Sequence, residues 1–544
     1  MKKLRHSFYV IIPLLLAACG KIGYSVEKVD ETHTTLYLGN YDGGAGHVWL
    51  DKLIEEFEEL HKDDVLEEGK KGVKISVKND KDKYLGNNLF NDISSNIEDI
   101  YVSGSISYAD FAAAGKIADI TDIITELDED GSSVESRLYD SMRRQFKLNN
   151  HYYGVPTISA MSGIVYDVDL FEDEQLFISN SSTEEKLNWT GKDNKSLGMD
   201  GVANTYDDGL PETFEQFKKL MTRMTQKSIT PLTWSGMYQT YRQRFMNYIW
   251  ASYEGSSDYM LNYTFNGTDS DSGEIDYSNG YLLQKQMGKK AAIYVAKYII
   301  SHSELYSENA IKTSQSHTQA QTEFLTSVEK DKRIAMILEG SWWENEARGT
   351  FDSMVKYSSE YAYGTRRFGY MPFPRFVGTE EIPDSTSTKN AVLCDAGSGC
   401  FIINSKSNNI PLAKEFLKFI LSKKSMAHFT ATNGVTLPYE YELSAEQYNG
   451  LTPYARSLWD VIHDENTEIV YPSIDNILRV ENSTFFSGWE WGSKVRANGV
   501  VQNVYEPMMS FYSYPELTVE DYFNGLSDNY SKEKWEGTLS KYFN

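Results

Sequence analysis

The chain has 544 residues, too many for one hydrophobic core to serve, so two or more lobes are expected. Its formal charge is −25, from 53 basic and 78 acidic side chains, and that balance excludes nucleic-acid binding, which needs clustered Lys and Arg. Aromatic residues make up 13%, with 38 Tyr and 10 Trp: flat apolar faces with polar tips that suit sugar rings as well as a core.

In chain order, Lys2, Lys3 and Arg5 precede an apolar run from Phe8 to Leu16. That run is too short to span a bilayer, which takes about 20 apolar residues. It ends in Leu16-Ala17-Ala18-Cys19, which resembles the lipobox of bacterial lipoproteins. The resemblance implies a signal peptide over 1–18, cleavage before Cys19 and acyl chains such as palmitate held through its thiol. Each buried acyl methylene contributes about 0.8 kcal/mol to membrane attachment. Removing the three cations leaves a formal charge of −28. Residues 19–33 read as the lipidated Cys and a polar linker, and no later apolar run is long enough to cross a membrane.

Residues 34–38 read as a strand and 40–46 as a loop. Beyond Trp49 the apolar positions Leu50, Leu53, Ile54, Phe57 and Leu60 have helical spacing. Strands follow at 73–77 and 99–102, and this alternation argues for an α/β class with a mostly parallel sheet. Further strands are expected at 164–167, 333–338 and 399–403. Thr213 to Gln216 resembles a capping box opening a helix from Phe214, and long helices are expected over 281–302 and 411–421. Residues 180–209 and 252–280 read as polar insertions, and the tail beyond Tyr439 as largely helical.

Four segments then converge. Tyr153-Gly154-Val155-Pro156 followed by Tyr166 to Phe171, Arg333 to Met336 with Gly340-Ser341-Trp342-Trp343, Gly399 to Asn404 with Ala413 to Ile420, and Gly434 to Pro438 resemble, in order and spacing, the family-1 extracellular solute-binding proteins. Asp208 to Glu215 and Ser316 to Gln321 further resemble large lipoprotein members from Gram-positive bacteria. The resemblance implies a two-lobe, type II periplasmic-binding-protein-like fold, each lobe a sheet flanked by helices and joined by hinge strands. The expected layout is lobe 1 over 34–157, lobe 2 over 158–366, a return to lobe 1 over 367–435, and a helical continuation of lobe 2 over 436–544. It also implies a monomer that holds a carbohydrate in the interlobe cleft and passes it to the permease of an ABC transporter.

Candidate ligand contacts follow from loop position and residue type. Loops at the carboxyl ends of strands line clefts in α/β sheets, which selects Tyr41, Asp42 and Gly43 after the first strand and Ser103 after the third. Trp342 and Trp343 are adjacent, so on extended backbone one would pack inward and the other face the cleft as a stacking platform. Trp234 and Trp489 are further aromatic candidates. Asp193, Asp200, Asn204, Asp207 and Asp208 crowd one loop and supply oxygens enough for a structural calcium, though without the EF-hand order. Cys394 and Cys400 are close enough in sequence for a disulfide, which an extracytoplasmic setting permits and geometry must decide. No G-x-S-x-G, H-E-x-x-H or P-loop motif is present, and the nine His residues do not cluster. No catalytic residue and no other cofactor is expected, leaving a surface glycan hydrolase, or a sensory or adhesive lipoprotein, as the alternatives.

Overall fold

The computed structural model describes residues 30–183, 185–395, 399–472, 494–497, 500–503, 506–529 and 531–542; Cys19 and Trp489 lie outside them. In chain order the strands of the two large sheets are β1 (Thr34–Asn40), β2 (Val73–Asn79), β3 (Ile100–Val102), β4 (Gly154–Pro156), β5 (Ala160–Asp167), β6 (Thr230–Thr233), β7 (Ile334–Gly340), β8 (Phe368–Met371), β9 (Asn390–Asp395), β10 (Cys400–Ile403) and β11 (Thr467–Val470). The helices used below are α1 (Val48–Leu60), α2 (Phe214–Gln226), α3 (Gln239–Glu254), α4 (His317–Thr326), α5 (Trp343–Glu346) and α6 (Pro453–His463).

The first sheet has the order β2-β1-β3-β10-β4. β1 is parallel to β2 and β3, and β10 runs antiparallel between β3 and β4. Leu36 and Leu38 of β1 are wholly buried, and α1 adds Leu50, Leu53 and Phe57 to the same core. Leu60 does not join that stripe. It is 67% exposed, and the ring of His61 packs on Phe57 at 4.2 Å instead, because a 3.6-residue period has carried position 60 off the buried face.

The second sheet has the order β6-β7-β5-β9-β11, with β8 also paired to β5. All eight residues of β5 are buried, and it is antiparallel to β7, β8 and β9. Asp167 ends it. Its carboxylate caps the next helix through the backbone N–H of Leu170 at 3.0 Å and pairs with Arg333 and Arg366, each at 2.6 Å. Burial alone would raise its pKa, but the guanidinium groups of Arg366 and Arg333 outweigh that and hold it below the usual carboxylate range.

The chain passes from the first sheet to the second between β4 and β5 and returns between β9 and β10. The return therefore comes later than position 367. Phe368–Met371, wholly buried, pairs along β5, and β9 pairs with the start of β5, so both belong to the second sheet. The tail beyond Tyr439 is largely helical among its described residues, and β11, a four-residue strand too short to stand out as a pattern, extends the second sheet beside β9.

The stretch 252–280 is more than a loop. It carries a helix (Ser256–Thr264) and a hairpin (Gly267–Asp269 with Gly273–Ile275), and Leu261, Phe265 and Ile275 form a small separate core with Leu283 and Trp535. The stretch 180–209 is mostly turns, with Trp189–Thr190 pairing Phe177–Ile178. Among the described residues no helix is long and apolar enough to cross a membrane.

Candidate functional site

A cavity of about 200 Å³ lies between the two sheets. Its first-sheet wall is the loop after β1 (Tyr41, Gly43, Gly44), the loop after β3 (Ser103 to Ser105), and Trp49 at the start of α1. Its second-sheet wall is Arg244 of α3 with Trp342 and Glu346, and Ile158 on the crossing segment closes one end.

Glycines let the first wall fold as it does. A Cβ on Gly43 would stand 2.6 Å from the Tyr41 ring, and one on Gly104 would stand 2.8 Å from Leu85 and 2.9 Å from Tyr41. Asn40 pins the loop from the strand end, its amide N–H₂ donating to Asn79 Oδ1 at 2.9 Å and to the Gly46 carbonyl at 3.4 Å. Burial, then the charges of Glu346 and Asp82, raise the pKa of the Tyr41 hydroxyl, so it stays a neutral hydrogen-bonding group.

Ser103 reaches the cavity, but its hydroxyl is engaged. It donates to the Cys400 carbonyl at 2.9 Å and accepts from the Cys400 N–H at 3.2 Å, stitching β3 to β10. Asp42 does not line the cavity, because its carboxylate is taken up by His47 Nδ1 at 2.9 Å.

Trp342 and Trp343 do diverge, as expected, but on a helix start rather than extended backbone. Trp343 is fully buried among Phe324, Phe351, Phe368 and Tyr454, at ring separations of 5.0–6.0 Å. It is core, not ligand platform. Trp342 lines the cavity with the guanidinium of Arg244 5.3 Å from its ring centre. Residues four apart on a helix share a face, which places Glu346 beside Trp342 on the same wall; Glu346 N–H donates to the Trp342 carbonyl at 3.2 Å. Arg244 pairs with Asp395 at 3.5 Å.

Trp234 is fully buried against Tyr306 at 5.1 Å. The turn after it is fixed from within, Arg242 donating to the Ser235 and Gly236 carbonyls while paired with buried Glu506 at 2.7 Å. Trp234 is thus core as well. Trp489 lies outside the described residues.

The acidic loop does not gather around a cation. Asp207 Oδ2 accepts the N–H groups of Met199 at 2.7 Å and Asp200 at 3.4 Å, and Asp208 accepts that of Asn204 at 2.7 Å. Backbone donors thus occupy one oxygen each of Asp207 and Asp208. Among the described residues no three acidic, His or Cys side chains are grouped so as to hold a metal, Asp193, Asp200, Asp207 and Asp208 included. The cysteines are free and buried. Cys394 faces Met161 in the second sheet and Cys400 faces Pro156 in the first, so the interlobe crossing separates them. Burial pushes both thiols well above their ordinary pKa.

The model of the family described as bacterial extracellular solute-binding protein matches residues 46–427, more than half of the chain. The chain belongs to that family. Its members are binding proteins, not enzymes, and the two sheets form the mixed α/β, type II periplasmic-binding-protein-like architecture. Similar solved structures include the solute-binding protein RafE in complex with raffinose, at 14% identity and TM-score 0.53, covering 91% of this chain and 98% of that one. Apo RafE from Streptococcus pneumoniae matches at 14% identity and TM-score 0.54, covering 92% and 97%. A chitin oligosaccharide binding protein matches at 14% and 0.53, covering 93% and 99%. At such identities the likeness is one of fold. No curated protein sequence matches the chain.

Arg244, Glu346, Asn40 and Trp49 are the site residues that loop position did not single out. For Glu346 a signal existed in its spacing of four from Trp342, had the segment been read as helical.

Proposed function

We propose that this protein captures a carbohydrate, an oligosaccharide in particular, in the cavity between its sheets and delivers it to the permease of an ABC importer. It would act as a monomer on the extracytoplasmic face of the membrane, tethered by lipid on Cys19. The observation that carries the reading is the make-up of the cavity: Tyr41 and Trp342 offer aromatic surface on opposite walls, while Arg244, Glu346 and the Tyr41 hydroxyl offer donors and acceptors. Sugar rings present apolar faces and hydroxyl rims, so they use both kinds of group. The similar structures that name raffinose and chitin oligosaccharide support the same ligand class. Tethering would raise the effective concentration of the permease without any new contact.

The test is calorimetric titration of the mature protein with neutral oligosaccharides, raffinose and chitotriose among them, alongside amino acids and peptides. A sugar at about 100 times its Kd should stabilise the fold by about 2.7 kcal/mol, and should be recovered uncleaved. Response to peptides alone would overturn the carbohydrate assignment; cleaved products would favour a hydrolase. Cys19→Ala should release the protein from the membrane fraction, and retention there would overturn the anchor.

A further inference from the structure

Behind Trp342 lies a carboxyl group that the cavity alone does not explain. Glu339 is the sixth of seven buried residues in β7. Its Oε1 accepts an N–H of Gln321 Nε2 at 3.0 Å, and its Oε2 accepts the backbone N–H of Gly340 at 3.0 Å. The same Gln321 nitrogen stands 3.1 Å from Oε2 of Glu346. An amide nitrogen carries two hydrogens, so one Gln321 side chain bridges the buried acid and the carboxylate of the cavity wall.

Burial above all, and then the charge of Glu346, raise the pKa of Glu339 well above the usual carboxylate range, which favours its protonated form. Glu346 is the partner on the cavity wall, held through Oε2. His317 Nε2 lies 3.7 Å from the same Oε2, whereas Oε1 of Glu346 has no hydrogen-bond partner among the described residues. Glu346 lines the cavity, and its charge is felt by Tyr41 on the opposite wall.

We propose that Glu346 is a specificity-determining carboxylate that accepts hydrogen bonds from ligand hydroxyls through Oε1, and that Gln321, braced on Glu339, is the residue that positions it. The inference rests on the carbohydrate reading and deepens it: this end of the cavity takes an uncharged hydroxyl-bearing ring and disfavours one carrying a carboxylate. The other ionisable groups facing the pair are Tyr241 and Arg244 of α3, His317 of α4, Tyr454 of α6 and Tyr41. Glu344, on the same turn of α5, is bonded to Thr452 at 2.7 Å.

The test titrates wild type, Glu346→Gln and Gln321→Ala with the neutral panel that includes raffinose and chitotriose, and with uronate-bearing counterparts, between pH 5.5 and 8. Hydrogen bonds to a charged acceptor predict about a ten- to hundredfold loss of affinity for neutral sugars in Glu346→Gln, with the uronates gaining relative to them. Gln321→Ala should lose affinity too. Without the amide, Glu346 is free to turn toward the carboxyl of Glu339, whose raised pKa makes their pairing depend on pH, so the loss should vary with pH where wild type does not. A merely structural Gln321 would lower the Tm and leave the pH profile flat. If Gln321→Ala does not fold, Glu346→Gln still decides. Wild-type affinity retained in Glu346→Gln overturns the inference alone; no sugar binding by wild type overturns the carbohydrate reading and this inference with it.

Discussion

The two walls of the cavity are built by different means. The first-sheet wall is mostly backbone: glycines at 43 and 104 let short loops turn closely around one ring, Tyr41. The second-sheet wall is long side chains, Arg244, Trp342 and Glu346, set on helices and aimed by groups beneath them. A wall of backbone tolerates little added volume. A wall of side chains depends on the core that orients it.

The sharpest break is at that core. Trp343→Ala should cost about 3–5 kcal/mol of stability, as large aromatic truncations in a packed core do, measured by urea denaturation. Trp342→Ala, one position away, should cost less stability and more ligand affinity. Equal effects from the two would erase the distinction drawn between core and platform.

At the far end of β7 from the cavity, Asp167 anchors Arg333. Asp167→Asn should cost about 3–5 kcal/mol, because it leaves the buried guanidinium of Arg366 and the half-buried one of Arg333 without their carboxylate. The sign of the pH dependence is fixed by the lowered pKa. This stability is present above the ordinary carboxylate value of about 3.9 and is lost as pH falls through the depressed folded-state value. Acid titration of the Tm should show that loss in wild type and less of it in Asp167→Asn.

On the first wall, Gly104→Ala should cost about 1–3 kcal/mol by overpacking, since its Cβ would meet Leu85 and Tyr41 below 3.0 Å. Displacing Tyr41 should weaken ligand binding as well. The smallest effect is expected at the crossing between the lobes: a reducing agent should leave the Tm unchanged, because Cys394 and Cys400 are free thiols. A reducible shift would mean that the two strands meet differently.

This contrast also explains what the amino-acid sequence could reveal. Tyr41, Gly43 and Ser103 were legible because a loop after a parallel strand has a foreseeable position, whatever its residues. Asp42 met the same rule and failed, since His47 five residues on claims its carboxylate. Arg244 and Glu346 were not legible: a charged residue on a helix looks like a solvated face until tertiary packing brings it to a cleft. Trp234 is the converse case, a strand-end aromatic fully buried against Tyr306 while Arg242 holds the turn that follows it. At the level of fold, the alternation of strands and helices in 34–102 was plain. The extra strands β8 and β11 were not, being four residues each and identifiable only by the partner they pair with.

The stacking of Arg244 over Trp342 has an optical consequence. Trp234, Trp250 and Trp343 are sealed in the interior away from the cavity, so their emission should stay constant while it fills. An indole under a guanidinium at 5.3 Å is sensitive to any molecule that shifts that cation or takes its place. The protein thus carries its own spectroscopic reporter in the cavity wall, and the Trp342→Phe variant supplies the blank against which its signal is read.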